Sequence, residues 1–97
     1  MAAAIVREGD ALRLSGPVTM ESAGFLAAQG RALLAGAPGQ AVRTLDFAGA
    51  TAVDSAAVSL VVELMRAAGT RLAIAHPPAS LASLAGLYGA AELVGGR

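Results

Sequence analysis

Between Ala41 and Ala75 the chain reads strand, helix, strand, and this order restricts the fold more than any other feature of the sequence. Ala41 to Phe47 and Arg71 to Ala75 are the strands, each bounded by Gly or Pro signals, and the helix between them starts near Ser55 and stops before Gly69. A connection through a helix is too long for a hairpin, so the two strands lie parallel with a right-handed crossover. The class that follows is α/β.

Upstream, I-V-R-E-G-D-A-L-R-L carries two short alternating runs around Gly9-Asp10, a two-residue hairpin signal. Pairing Glu8 with Ala11 sets Ile5 opposite Leu14 and Arg7 opposite Leu12, which gives the hairpin one mostly apolar face. Ser15-Gly16-Pro17 is expected to break the second strand. Thr19 then caps a helix through about Ala35, with Leu26, Leu33 and Leu34 on one face and Gly36 and Pro38 as stop signals. Gly24 and Gly30 each weaken that helix by about 1 kcal/mol relative to Ala, a penalty accepted where helices pack closely. Near the C-terminus Ser80 caps a last helix with Leu81, Leu84 and Tyr88 at helical spacing, and a short turn from Ala90 to Val94 follows. Residues 1–97 thus read as one domain, a small mixed β-sheet of about four strands with three to four helices packed against it.

All seven basic residues are Arg, and seven acids balance them, which leaves no charge footprint for a nucleic acid or an anionic membrane. With no Cys and a single His, His76, neither a disulfide framework nor a metal site is expected, and a cytoplasmic location fits. The N-terminus M-A-A-A-I-V-R-E has no basic region ahead of its apolar run, so no cleaved export signal is expected. The uncharged stretch from Leu72 to Ala91 is broken by His76, Pro77, Pro78, Ser80 and Ser83, well short of the ~20 apolar residues of a spanning helix. A chain without lysine has no G-x-x-x-x-G-K-S/T phosphate loop, and no cofactor is expected.

The richest chemistry lies around Asp54 and Ser55. Either residue can cap the helix that follows, and replacing the capping one by Ala costs ~1 kcal/mol. Ala48 to Val53 reads as a loop of small residues that leaves the Ser55 hydroxyl unshielded and lets a partner's backbone come close. Along the helix, Ser59, Glu63 and Arg66 fall in one narrow wedge, while apolar residues cover an arc of roughly 220°, far more than the ~100° stripe a sheet-facing helix requires. Val58, Val61 and Met65 suffice for the core. Leu60, Leu64 and Ala67 are left at an edge that either packs on neighbouring helices or serves an interface. Asp46 reads as a solvated acid at a strand end, and Phe25 and Phe47 as core. Ser55, His76 and an aspartate include the residue types of a hydrolytic triad, but no nucleophile-elbow sequence surrounds Ser55, and His76 before two prolines reads as the end of a strand.

The run L-D-F-A-G-A-T-A-V-D-S-A-A-V-S-L-V-V-E-L-M resembles the signature of STAS domains, in which a strand passes through a short loop and D-S or D-T into the second helix. The opening hairpin, the later strand and the final helix fall in the same order, so the likeness covers most of the chain. It implies the family's small mixed sheet with helices packed against it. Within the family, L-A-S-L-A-G-L-Y-G-A-A-E-L-V is most similar to the C-terminal end of the Mla-type members. Those are cytoplasmic subunits of the phospholipid ABC transporter that maintains outer-membrane lipid asymmetry in Gram-negative bacteria. The likeness implies a subunit without catalytic activity, peripheral to the inner membrane, that binds and supports the transporter's ATPase. Its docking surface is expected at Ala50, Thr51, Val53 and Asp54 of the loop, at Ser55 and Ala56, and at Ser59, Leu60 and Glu63 on the helix, with Tyr88 at the rim. Another branch, the anti-sigma factor antagonists, carries D-S-x-G-L, whose serine is phosphorylated by a partner kinase that is also the anti-sigma factor. The matching positions are Asp54, Ser55, Ala56, Ala57 and Val58, with Ala57 in place of Gly. The alternative this implies is a switch by phosphorylation at Ser55, where the phosphate would be favoured by the helix dipole and repelled by Asp54.

Overall fold

The computed structural model describes residues 2–36, 41–81 and 83. Gly9-Asp10 turns the chain as the sequence predicts: β1 (Ala4–Glu8) and β2 (Ala11–Val18) pair antiparallel, with Glu8 opposite Ala11, Arg7 opposite Leu12 and Ile5 opposite Leu14. Ile5, Leu12 and Leu14 are buried, so the expected apolar face is the core face. The chain continues through α1 (Met20–Ala35), β3 (Thr44–Val53), α2 (Ser55–Ala68) and β4 (Ala73–Ala75), with β3 parallel to both β2 and β4. The result is a mixed four-stranded sheet in the order β1-β2-β3-β4.

Both crossovers step in the same direction across this sheet, and a right-handed crossover then puts both helices on the same face. There α1 packs against α2 as well as against β1 and β2. Leu12, Leu14, Leu45 and Phe47 of the sheet meet Leu26 of α1 and Leu60, Leu64 and Val61 of α2 in one core. Gly30 lets the helices approach, since a Cβ there would sit 2.5 Å from Cδ2 of Leu64. Gly24 has open space around it and carries no such role. Gly69, in the left-handed region, closes α2 where the sequence places its end.

Two expectations about the strands fail together. Ser15-Gly16-Pro17 does not break β2, and Ala48 to Val53 is not a loop but the second half of β3, which begins at Thr44 rather than Ala41. Small residues with little strand preference are held there by pairing with Ser15 to Val18. Between Arg13 and Ser15, and again between Gly16 and Pro17, β3 advances one residue more than β2, so two bulges absorb the misfit. Gly16 adopts φ +75°, and a Cβ on it would lie 2.6 Å from the carbonyl oxygen of Ala2, so only glycine fits. Pro17 lies past Ser15, the last β2 residue paired with β1, so its missing N–H opens no ladder bond on that side.

Other departures are local. β4 is shorter than expected and starts at Ala73. Residues 79–81 and 83 are helical, and the Leu81 N–H donates to the Pro78 carbonyl at 3.0 Å, so this helix begins ahead of Ser80, which does not cap it. Leu84, Tyr88 and the turn from Ala90 to Val94 lie outside the described residues. Phe25 is 56% exposed rather than core, because α1 turns Leu26, Ala27 and Gly30 inward. Among the described residues no helix is long and apolar enough to cross a membrane.

Candidate docking site at the start of the second helix

Asp54, not Ser55, caps α2. Its backbone is extended, with φ −134° and ψ −168°, and its Oδ1 accepts the Ala56 N–H at 2.8 Å. Its other oxygen, Oδ2, accepts the N–H of Met20 at 3.0 Å, and Met20 is the first residue of α1. One carboxylate therefore closes the N-termini of both helices, where two macrodipoles direct their positive ends at it. The Asp54 N–H donates back to the Val18 carbonyl at 3.4 Å, and Val18 stands opposite Val53, so the ends of β2 and β3 run together into the two helices. On the α1 side, the Ser22 hydroxyl accepts the Thr19 N–H at 3.0 Å and donates to the Pro17 carbonyl at 2.8 Å. The corner is thus fixed on both strands.

Ser55 follows as the first helical residue of α2, half-buried, and lines a shallow groove with Arg31 of α1 and Ala56, Ser59, Val62, Glu63 and Arg66 of α2. Arg31 and Glu63 form an ion pair across the helices; both side chains are about half exposed, so it contributes at most about 1 kcal/mol. Of the residues expected to dock, Thr51, Ser59 and Glu63 are exposed, and Asp54, Ser55 and Ala56 are half-buried. Ala50 and Val53 lean on the core while remaining partly accessible.

Leu60 is a correction. It is 2% exposed, as is to be expected of a helix covered on two sides, by the sheet and by α1, which needs a wider apolar arc than one lying on a sheet alone. Leu64 is buried for the same reason, and only Ala67 of that edge is exposed. Tyr88 lies outside the described residues. No local pattern singles out Met20, which is 77% exposed at this corner. Ala23 and Gly24, three and four residues on, offer no apolar periodicity that would single it out.

Asp46 lies inside β3 rather than at its end, next to the first bulge. Its Oδ1 accepts the Ala48 N–H at 2.9 Å and meets Nδ1 of His76 at 3.0 Å. An ionised carboxylate only accepts, so the His76 ring donates. Burial pushes the Asp46 pKa up, but the Ala48 N–H, the His76 hydrogen bond and charge, and the Arg13 charge together hold it below its ordinary value. A folded-state pKa below the unfolded one means that Asp46 contributes stability above about pH 4, lost as the pH falls towards its folded value. Comparing urea midpoints at pH 7 and pH 3, wild type should therefore lose more than Asp46→Asn; equal losses would show that the Ala48 and His76 bonds are not formed in solution. Neither Asp46 nor His76 lines the groove at Ser55, so the residue types of a triad are present but not assembled.

The family model described as "Mlab, STAS domain" matches residues 1–95. The chain belongs to the STAS domain family. The D-S pair on which the resemblance rests, Asp54-Ser55, is in the structure a cap and a first helical residue. The solved structure of the anti-sigma factor antagonist SpoIIAA in its unphosphorylated form is similar in fold, with a TM-score of 0.61 over 86% of this chain and 80% of that one, at 16% identity. A crystal structure of Mglu in its native form is 24% identical over 76% of this chain and 22% of that chain, with a TM-score of 0.44, too low to bear on the fold. No curated protein matches the chain significantly.

Proposed function

We propose that this STAS domain is a non-catalytic subunit that docks on the cytoplasmic ATPase of an Mla-type phospholipid ABC transporter and supports its assembly and activity. On this reading it is held at the inner membrane through that partner. What supports it most is the MlaB-type family match along nearly the whole chain, together with the form of the corner. Asp54 already satisfies the helix starts, while Thr51, Ser55 and Ser59 leave small side chains accessible. Such a surface suits close contact with another protein's backbone.

The test is co-purification with the ATPase subunit. Ser55→Arg fills the groove without touching a cap, and it should weaken the complex at least tenfold while the domain stays folded. A complex left intact by Ser55→Arg places the docking surface elsewhere.

A second reading is a partner-switching antagonist of an anti-sigma factor, phosphorylated on Ser55. It is supported by the fold shared with SpoIIAA and by Ala57, whose side chain is fully buried, so the methyl group that stands in place of glycine does not enter the groove. Intact-mass measurement after incubation with the candidate kinase and ATP separates the readings, since only the switch requires a phosphate-sized increment that is absent in Ser55→Ala.

A further inference from the structure

We infer that Met20 is the apolar anchor of the docking corner and that the partner offers it an apolar pocket rimmed by a basic side chain. This rests on the docking reading above and adds to it a residue from the other helix.

Met20 and Ser55 are the first residues of α1 and α2, and Asp54 fastens the two starts to each other through its two carboxylate oxygens. The backbone of Met20 is therefore held in place while 77% of the residue faces solvent. Single exposed apolar residues are ordinary on a protein surface. This one differs in standing at the same fixed corner as Ser55, tied to it through Asp54, so a partner seated on the α2 start meets it as well. A long unbranched thioether adapts to the shape of a pocket, and Met is enriched at the centres of protein interfaces.

Charge specifies the rim. Glu21, next in the first turn of α1, is exposed, whereas the half-buried Asp54 has both oxygens taken by backbone N–H groups at the two helix starts. The arginines of the groove do not offset Glu21 there: Arg31 is paired with Glu63, and Arg66 lies in the last turn of α2. An apolar tip beside an exposed carboxylate is complementary to a pocket edged by Arg or Lys, and it is repelled by an anionic lipid surface.

The experiment titrates the full chain against the purified ATPase subunit and reads Kd for wild type, Met20→Ala, Met20→Leu, Met20→Glu, Glu21→Lys and Ser55→Arg, with a thermal melt of each. Met20→Ala should raise Kd at least tenfold, Met20→Leu should stay within about threefold because it keeps the apolar volume, and Met20→Glu should abolish binding. Glu21→Lys should raise Kd severalfold, and all of these should melt as wild type does. Wild-type Kd in both Met20→Ala and Met20→Glu, with Ser55→Arg still blocking, overturns the anchor and leaves the docking reading standing. No binding by wild type overturns both. A dimer of the wild type that Met20→Glu dissociates would give Met20 to a second copy of this chain and overturn the partner named here.

Discussion

Leu60→Asp should unfold this domain. Leu60 is 2% exposed within the cluster that joins α2 to the sheet and α1, so the substitution removes a packed side chain and inserts a carboxylate with no cation or donor prepared for it. Losing the leucine alone costs about 2–5 kcal/mol, as Leu60→Ala would show. Burying an unpaired charge adds several kcal/mol more, or requires the acid to be neutralised at similar cost. A domain of this size is stable by about 5–15 kcal/mol in total, so the sum consumes most or all of it. Circular dichroism and a urea titration of Leu60→Asp, Leu60→Ala and Ser59→Asp decide the matter. Ser59 precedes Leu60 and is exposed, so Ser59→Asp should change stability by no more than about 0.5 kcal/mol. A cooperative, wild-type-like melt for Leu60→Asp would mean that this side of α2 is open in solution. Failure of Leu60→Asp to bind a partner would report unfolding and nothing about docking, which is why Ser55 and Met20 carry the binding tests.

The difference between Leu60 and Ser55 also shows where sequence reading reaches and where it stops. The hairpin was legible because Gly9-Asp10 allows one register that puts Ile5, Leu12 and Leu14 on one face. The bounds of α2 were legible because a cap and a left-handed glycine are local signals. By contrast, the second half of β3 is strand only because β2 is beside it, and no propensity in A-G-A-T-A-V announces that. The fate of Leu60 depended on whether a second helix covers α2. A single helical wheel does not contain that information, although Gly30 was a hint of it. The D-S pair drew attention to the start of α2, but the Asp54 bond to Met20 spans 34 residues and follows from topology alone.

That long-range bond gives the second large effect. Asp54→Ala deletes both acceptors, the Oδ1 that takes the Ala56 N–H and the Oδ2 that takes the Met20 N–H. An N-cap lost to Ala costs about 0.5–2 kcal/mol, and here two helix starts lose their partner together with a favourable charge at two dipoles, so about 2–3 kcal/mol is expected. Asp54→Asn discriminates this account from an ordinary single cap. An amide accepts at one oxygen and donates at the other end, so it can keep the α2 cap but cannot take the Met20 N–H. Asn is among the best N-caps, so with a single cap the substitution would be nearly silent, whereas a shared carboxylate predicts a loss of about 1 kcal/mol, between wild type and Ala. Urea unfolding of the three proteins at pH 7 measures this. If Asn matches wild type, α1 starts without Asp54, and the rigid pairing of Met20 with the α2 start does not exist in solution. If the three fall in the order expected, one side chain is at once the lock between the helices and the support that presents Met20 beside Ser55. On the docking reading proposed above, Asp54→Asn should then also weaken binding to the partner by loosening that support, even though Asp54 itself is only half-exposed.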